Sequence, residues 1–422
     1  MDKFYTALQE RFQRMFQYFL VFLKWVGISV LCGVPIGFIG FGFHHLVEIV
    51  TEIRTEHSWI LFFLPLAGVV IALLYRLAGM EKDGGTNSVL ISIRTGEHLS
   101  IKMAPLIFIS TVLTHFFGGS SGREGAALQL GGSIGAQFGR WLRLSKRSLH
   151  VITLCGMSAA FAALFGTPLT AAIFALEVVN VGTMFYAAIV PCILSALIGA
   201  GIAGWLGAVP TAFSITGVPA LTLVSALQAL VLGILCALVI ILFCVAMHTA
   251  SHLYQKRIPN SILRAAVGGV LVIAVTLLVG TRDYNGAGMN IITRAMAGEA
   301  VPYAFLLKIL LTALTLGAGF KGGEIVPAFF VGSTFGCFAG GLLGLDPSFG
   351  AAIGLAGVFC GVVNCPLATI LLCLELFDGQ AMPLFAITIA VSYMLSGYFG
   401  LYSGQRFFYS KTEPMKIDRA AG

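Results

Sequence analysis

Charge is what this chain has least of. Asp, Glu, Lys and Arg together make up 10% of its 422 residues, where a soluble domain carries about 25%. With apolar residues at 58% and a mean hydropathy of +0.95, that scarcity excludes an ordinary soluble protein and implies a polytopic membrane protein. No polar stretch runs beyond about twenty residues, too few for an independent aqueous core. The nine cysteines (Cys32, Cys155, Cys192, Cys236, Cys244, Cys337, Cys360, Cys365 and Cys373) form no C-x-x-C pair and no extracellular pairing pattern. All sit in apolar runs and read as small buried hydrophobes. The eight histidines show no H-E-x-x-H or other ligand spacing, which argues against a metal site. The N-terminus, MDKFYTALQERFQRMFQYFLVFLKWVG, lacks a small-residue cleavage site, so residues 1–15 are expected to be a retained cytoplasmic leader and not a signal peptide.

Long apolar runs are present, but fewer than the hydropathy leads one to expect. Full-length spans are predicted over 16–43, 58–79, 183–207, 221–247 and 262–280. The other apolar segments, near 103–117, 126–139, 150–164, 168–179, 303–318, 327–343, 350–363, 366–377 and 383–399, are mostly shorter and punctuated by Gly and Pro. A bilayer tolerates such pieces only where their backbone ends are buried in protein or line a cavity. The 51 glycines add close backbone packing and broken helices to the expectation. The net charge of +7 is uneven: RWLRLSKR over 140–147, the cluster Lys256, Arg257 and Arg264, and the tail from Arg406 to Arg419 are basic. These segments are expected on the cytoplasmic side of a cell inner (plasma) membrane, in contact with anionic lipid.

The two halves repeat. Gly131, Gly135 and Gly139 follow Glu124 as GxxxGxxxG, and Gly332, Gly336 and Gly340 follow Glu324 in the same spacing. Thr167-Pro168-Leu169 precedes Leu176-Glu177 as Cys365-Pro366-Leu367 precedes Leu374-Glu375. A duplicated membrane unit with broken helices is the pattern of a transporter whose site lies at the midplane where the repeats meet. We expect an all-α fold of two inverted repeats of tilted and discontinuous helices, 16–210 and 221–405, with a short tail over 406–422.

Chemistry concentrates at the helix breaks. Gly118-Gly119-Ser120-Ser121-Gly122-Arg123-Glu124-Gly125 separates two apolar segments and opens a helix at about Ala126. A helix start exposes unpaired N–H groups and a partial positive charge, and glycine lets backbone approach an ion closely, so an anion can bind there without a full cation. Glu124 would occupy that seat itself and leave when protonated, acting as gate and proton carrier; the plainer roles are a helix cap or a pair with Arg123. Gly317 to Pro327 is the second-half counterpart and makes Glu324 a second intramembrane carboxylate, or else the partner of Lys321 in a salt bridge. GAGFKG in that segment also fits G-x-G-x-x-G, but no strand precedes it, which removes the dinucleotide reading. At Gly84-Gly85-Thr86-Asn87-Ser88 the polar side chains can cap a helix, the commoner role, or offer donors to an ion. Tyr402, among Gly400, Ser403 and Gly404, is an interfacial anchor or an ion ligand. Glu177 and Glu375 end their apolar stretches and are expected to reach the interface or a partner.

From about residue 80 to 410 these motifs, in this order, resemble the CLC chloride channels and proton-coupled anion exchangers. GSSGREGAALQLGGS is similar to the family's G-[KR]-E-G-P motif with Ala126 in place of Pro, and GGEIVP to its G-x-F-x-P motif with Ile325 in place of Phe. The family's G-S-G-I-P chloride motif is replaced by Gly85-Thr86-Asn87-Ser88-Val89, and its inner proton-transfer Glu by Val178. These departures, with KMAPLIFISTVLTH over 102–115, resemble the fluoride-exporting branch, although Val326 stands where those exporters carry a hydroxyl residue. The resemblance implies a fluoride/proton antiporter that is a homodimer with a separate pathway in each subunit, without CBS domains, cofactor or nucleic-acid partner. It makes Glu124 the gating glutamate, Glu324 the second central glutamate and Tyr402 the phenol facing the anion. Thr86 or Asn87 takes the place of the chloride serine, and Gly122, Arg123, Gly125, Ala126, Ile325 and Val326 complete the anion cradle. A chloride or nitrate exchanger, or an uncoupled anion channel, is the alternative within the same family.

Overall fold

The computed structural model describes residues 2–421; Met1 of the expected leader and Gly422 of the expected tail lie outside the described residues. The described chain is two runs of eight α-helices. The first run is α1 (Asp2–Glu56), α2 (Leu64–Leu77), α3 (Thr86–Thr95), α4 (Met103–Phe116), α5 (Glu124–Trp141), α6 (Lys146–Phe165), α7 (Pro168–Glu177) and α8 (Ile189–Trp205). The second is α9 (Leu223–Arg257), α10 (Ser261–Val279), α11 (Met289–Met296), α12 (Ala304–Gly317), α13 (Ile325–Leu342), α14 (Pro347–Val363), α15 (Pro366–Phe377) and α16 (Met382–Leu395). Corresponding members match in length where the site is built: α4 and α12 have 14 residues each, α5 and α13 have 18 each. The short helix α11 has no apolar run long enough to announce it. The first helix is longer than the 16–43 span expected: at 55 residues it reaches about 80 Å at 1.5 Å per residue.

The repeated glycines fix how each run packs. A Cβ on Gly131 would lie 2.1 Å from the Gly156 carbonyl oxygen, so α5 and α6 touch backbone to backbone. In the second run a Cβ on Gly332 would lie 2.6 Å from the Gly354 oxygen, and one on Gly336 2.3 Å from the Gly350 oxygen. Small residues at such crossings let dispersion contacts replace the hydrophobic drive that lipid cannot supply. The consequence is a central layer of α5, α6, α13 and α14, buried along most of their length, inside a ring of helices with exposed apolar faces.

The two runs are tied to each other by an exchange of caps. At ten and twelve residues, α7 and α15 are too short to cross about 30 Å of hydrocarbon, and each begins with Pro at its first turn. Their free N–H groups are met across the repeat boundary. Glu177, the last residue of α7, accepts hydrogen bonds from Leu367 N (3.2 Å) and Ala368 N (2.8 Å). Glu375 accepts from Leu169 N and Thr170 N, both at 2.9 Å, and from the Thr170 hydroxyl at 2.6 Å. Of the two expectations for these acids, the interface or a partner, the structure shows the partner: each is held on the N-terminus of the other repeat's helix, where the dipole favours a carboxylate.

The fold is all-α but for one small sheet at its end. Strand β2 (Arg406–Tyr409) pairs antiparallel with β3 (Lys416–Ala420) and parallel with β1 (Asn180–Val181). The tail is thus docked. Lys411 enters the body and donates to Asn364 Oδ1 (2.6 Å) and the Tyr393 carbonyl (2.9 Å). Asn364, in the left-handed conformation that ends α14, donates in turn to Gln405 Oε1 at 3.0 Å.

Candidate functional site

The first intrahelical bond of α5 runs from Ala127 N to Arg123 O, and that of α13 from Ala328 N to Glu324 O. The N–H groups of Glu124, Gly125 and Ala126, and those of Ile325 and Val326, therefore have no acceptor within their helices. What brings these two starts together is a reciprocal pair of hydrogen bonds: Gly122 N donates to Gly323 O and Gly323 N to Gly122 O, both at 2.7 Å. Residues two hundred apart in sequence thus form a two-residue antiparallel bridge, and two helix N-termini face one another across it. Side chains would prevent this. A Cβ on Gly323 would sit 2.5 Å from Gly125 N, and one on Gly122 2.5 Å from Glu124 Oε2.

Both glutamates lie at this junction, Glu124 buried and Glu324 half-buried. Glu124 Oε2 accepts a hydrogen bond from Arg123 N at 2.9 Å, and the Val326 N–H faces the same carboxylate from the other repeat. Its pair with Arg123 is loose, at 3.8 Å, so the main chain and not the guanidinium holds the acid. Arg123 also reaches the His44 carbonyl at 3.4 Å. Glu324 differs. Its Oε2 is buried without a partner and lies 3.1 Å from where a Cβ on Gly125 would stand. Lys321 does not form the salt bridge with it that the sequence left open; its ammonium sits 4.2 Å from the centre of the Tyr75 ring.

Thr86 and Asn87 do not cap α3. The cap position is Gly85, at φ 62°, and its neighbour Gly84 donates to the Ser88 hydroxyl at 2.9 Å. Thr86 instead donates to the Gly125 carbonyl (3.3 Å) and accepts from Gln129 Nε2 (3.2 Å). Asn87 Oδ1 accepts from Gly404 N at 2.8 Å, which fixes the loop that carries Tyr402. Tyr402 is no interfacial anchor: it is 2% exposed and its hydroxyl has no partner. Ala126 and Ile325 are buried with no polar side chain to offer, so they contribute only main-chain N–H groups. Gln129, one turn beyond Glu124, was not singled out from sequence, where a lone Gln inside an apolar helix gives no signal. Its Oε1 is buried and unpartnered beside Thr86.

Two cavities approach the junction from opposite ends of α10. One, about 950 Å³, is lined by Arg123, Glu124, His115, Arg54, Thr276, the loop that follows α10 and the first two residues of α11. The other, about 1000 Å³, is lined by Gly85, Thr86, Asn87, Gln129, Lys321, Glu324, Tyr402 and the residues around Asn260 that precede α10. As α10 has 19 residues, about 28 Å at 1.5 Å per residue, the cavities open on opposite faces of a bilayer. Glu124 lines one and Glu324 the other.

The chain matches the family model described as voltage gated chloride channel over residues 67–397. It is 35% identical over 395 residues to a chloride/fluoride channel protein of Pseudomonas syringae pv. tomato, covering 92% of this chain and 87% of that one. It is 26% identical to the H(+)/Cl(-) exchange transporter ClcA of Vibrio cholerae, over 83% of this chain and 81% of the relative. Among solved structures, a CLC-type fluoride/proton antiporter superposes with a TM-score of 0.88 at 31% identity, covering 91% of this chain and 98% of that one. A slow cyanobacterial Cl-/H+ antiporter superposes at 0.76 and 20% identity, over 88% and 94%, which shows a shared fold.

Proposed function

The chain belongs to the voltage gated chloride channel family, and on that premise we propose that it is a fluoride/proton antiporter of a bacterial-type plasma membrane, exporting fluoride against proton entry. The observation that carries this reading is the Gly122–Gly323 bridge, which aims the free N–H groups of two helix starts at one point and sets a carboxylate at each. An anion and a carboxylate compete for the same donors, so a glutamate that takes up a proton vacates the seat for the ion. The likeness to a fluoride/proton antiporter at 31% identity supports fluoride as that ion.

Fluoride gives up a tightly held hydration shell, and its site must return dense hydrogen bonding. Main-chain N–H groups of Gly125, Ala126, Ile325 and Val326 supply it without the side-chain bulk that a larger halide would need removed. The phenol of Tyr402 is the donor aimed at the inner approach, and its open valence in the structure matches that task. Thr86 is committed to the Gly125 carbonyl and to Gln129, and Asn87 to Gly404. Thr86 therefore positions the α5 start, and Asn87 positions the Tyr402 loop. Glu124 is the gate on the face of the loop that follows α10. Glu324 passes the entering proton on to the face bearing the basic segments, which the excess of Lys and Arg assigns to the cytoplasm. The homodimer implied by the resemblance belongs to the same proposal and is checked by crosslinking in the membrane.

The deciding measurement is fluoride efflux from proteoliposomes with external pH recorded at the same time and chloride as competitor. Fluoride efflux with proton uptake that chloride barely slows is the expected result. Chloride moved as fast as fluoride refutes the selectivity, and fluoride flux with no pH change refutes the coupling.

A further inference from the structure

The cavity on the Glu124 side contains a cation that the mechanism above does not use. Arg54, in the last turn of α1, is 8% exposed. Its Nε is buried without a partner, and among the described residues its guanidinium forms no ion pair and no hydrogen bond with protein. It does not serve the end of its own helix: the Ile53 carbonyl beside it accepts from His57 N (3.0 Å) and approaches His57 Nδ1 (3.1 Å). The guanidinium is wedged between two loops. A Cβ on Gly118 would lie 3.4 Å from Arg54 Cδ, and one on Gly286 3.0 Å from its Nη2. Those loops are clamped together, Gly286 N donating to the Gly119 carbonyl at 3.1 Å and Asn285 Nδ2 to the Gly118 carbonyl at 2.8 Å.

A second buried cation stands behind the same loop. Lys308 is fully buried and donates to the carbonyls of Gly286 (2.7 Å) and Tyr284 (3.1 Å), with no carboxylate in reach. Four acids line this cavity: Glu48 is paired with His44 at 3.0 Å, Glu124 is held by main chain, and neither Glu52 nor Asp283 forms an ion pair with Arg54 among the described residues. Two cations withdrawn from water, with neither neutralised by a protein acid, leave the pocket at Gly118 and Gly286 electropositive. A guanidinium is the most weakly hydrated of the side-chain cations and presents a rigid fork of donors. Held unpaired on a cavity wall by a clamped loop, it is already organised for an anion.

We propose that Arg54 forms a separate small-anion site at the mouth of the Glu124-side cavity, a station between bulk water and the glutamate gate. Its ligand is a monovalent inorganic anion, bound by the guanidinium between Gly118 and Gly286, with the field of Lys308 behind it. Gly118 and Gly119 begin the loop that ends at Glu124, so an ion there is delivered to the gate along one continuous glycine segment. The site rests on the antiport reading only for the identity of its ligand.

The test measures initial fluoride uptake against external fluoride in right-side-out and inside-out vesicles of wild type, R54Q and R54K, with thermal unfolding of each purified protein. In right-side-out vesicles R54Q raises the half-saturating fluoride concentration by about fivefold or more, the scale of one charge-assisted hydrogen bond in a wet site. In inside-out vesicles it leaves that concentration unchanged, and R54K stays close to wild type in both. An unchanged value in right-side-out vesicles of folded R54Q overturns the site, and so does an equal shift in both orientations, which marks a structural role. If wild type carries no fluoride, the antiport reading fails instead. The site is then judged by calorimetric titration of sodium fluoride into solubilised protein: a binding heat present in wild type and lost in R54Q supports it, and its absence from wild type overturns it.

Discussion

The two mouths of the pathway are built from one duplicated element and finished differently. On one side the α5 start is occupied by its own acid, with Glu124 bonded to Arg123 N and facing Val326 N. On the other, Glu324 and Tyr402 each leave an oxygen unpartnered. Their arginines differ in the same sense. Arg264, beside Gly319 before Glu324, is half-exposed and donates to the Ala318 carbonyl at 3.4 Å, whereas Arg54, beside Gly118 before Glu124, is buried and uncommitted. The lesson is that duplication supplies two equivalent cradles, and what fills each cradle decides its task. In the proposed antiport, the seat closed by a carboxylate is the gate, and the pair of open acceptor and donor groups is the exchange point.

The comparison breaks most directly at the gate. Glu124→Gln keeps the shape but cannot take up and release a proton, so we expect proton-coupled fluoride flux to fall by at least about a hundredfold, the usual loss on removing a proton-transfer group. Coupled flux at the wild-type rate in the liposome assay would show that the gate is misassigned. The equivalence of the two cradles as packing units is sharpened by Gly131→Ala beside Gly332→Ala. The first Cβ meets a carbonyl oxygen at 2.1 Å and the second at 2.6 Å. Both should cost about 3 kcal/mol or more, at or above the upper end of the usual range for overpacking, with Gly131 the worse. Thermal unfolding in detergent that ranks them the other way would deny that contact distance sets the cost.

Glu324→Gln tests the inner mouth. With the gate intact we expect coupled exchange slowed by about tenfold, less than at Glu124, because a neighbouring acid or water retains part of the proton transfer. Equal losses at the two positions would erase the proposed division of labour. The smallest effect lies outside the membrane, where Arg406 Nη2 meets Asp418 Oδ1 at 2.8 Å. The hydrogen bond from Arg406 holds the Asp418 carboxyl below its ordinary 3.8. Whatever this pair contributes is complete above about pH 4 and is lost as pH falls through the lowered value. Both side chains are in solvent and screened, so Asp418→Asn should leave the unfolding temperature unchanged within error, and a clear drop would mean that the tail sheet is held by this pair and not by Lys411.

Much of this architecture was legible because its signals are local. The Gly-rich breaks before Glu124 and Glu324, the GxxxG spacings and the Pro-initiated short helices each lie within a few residues, and they predicted duplicated, discontinuous helices. The readings that the sequence left open or that needed correction concern partners far away in the chain. Glu177 and Glu375 end apolar stretches, which says nothing of the main-chain N–H groups about 190 and 205 residues distant that receive them. Thr86 and Asn87 look like caps because the cap is the commoner local solution, yet Gly85 takes that position and frees their side chains for Gly125 and Gly404. Gln129 and Arg54 carry no motif; only burial without a partner distinguishes them. The tail sheet was missed because a strand of two residues at Asn180 has no periodicity to read.

By itself the amino-acid sequence determined that this chain lives in a bilayer, that it is a doubled unit, and that two carboxylates open broken helices, since hydropathy, spacing and helix termination depend on neighbours within a turn or two. Only the tertiary structure decided that those openings meet, through two hydrogen bonds between Gly122 and Gly323, and that one acid is seated while the other stands open. Such contacts arise where backbones some two hundred residues apart pack too closely for any side chain, and no local pattern encodes which glycine will find which.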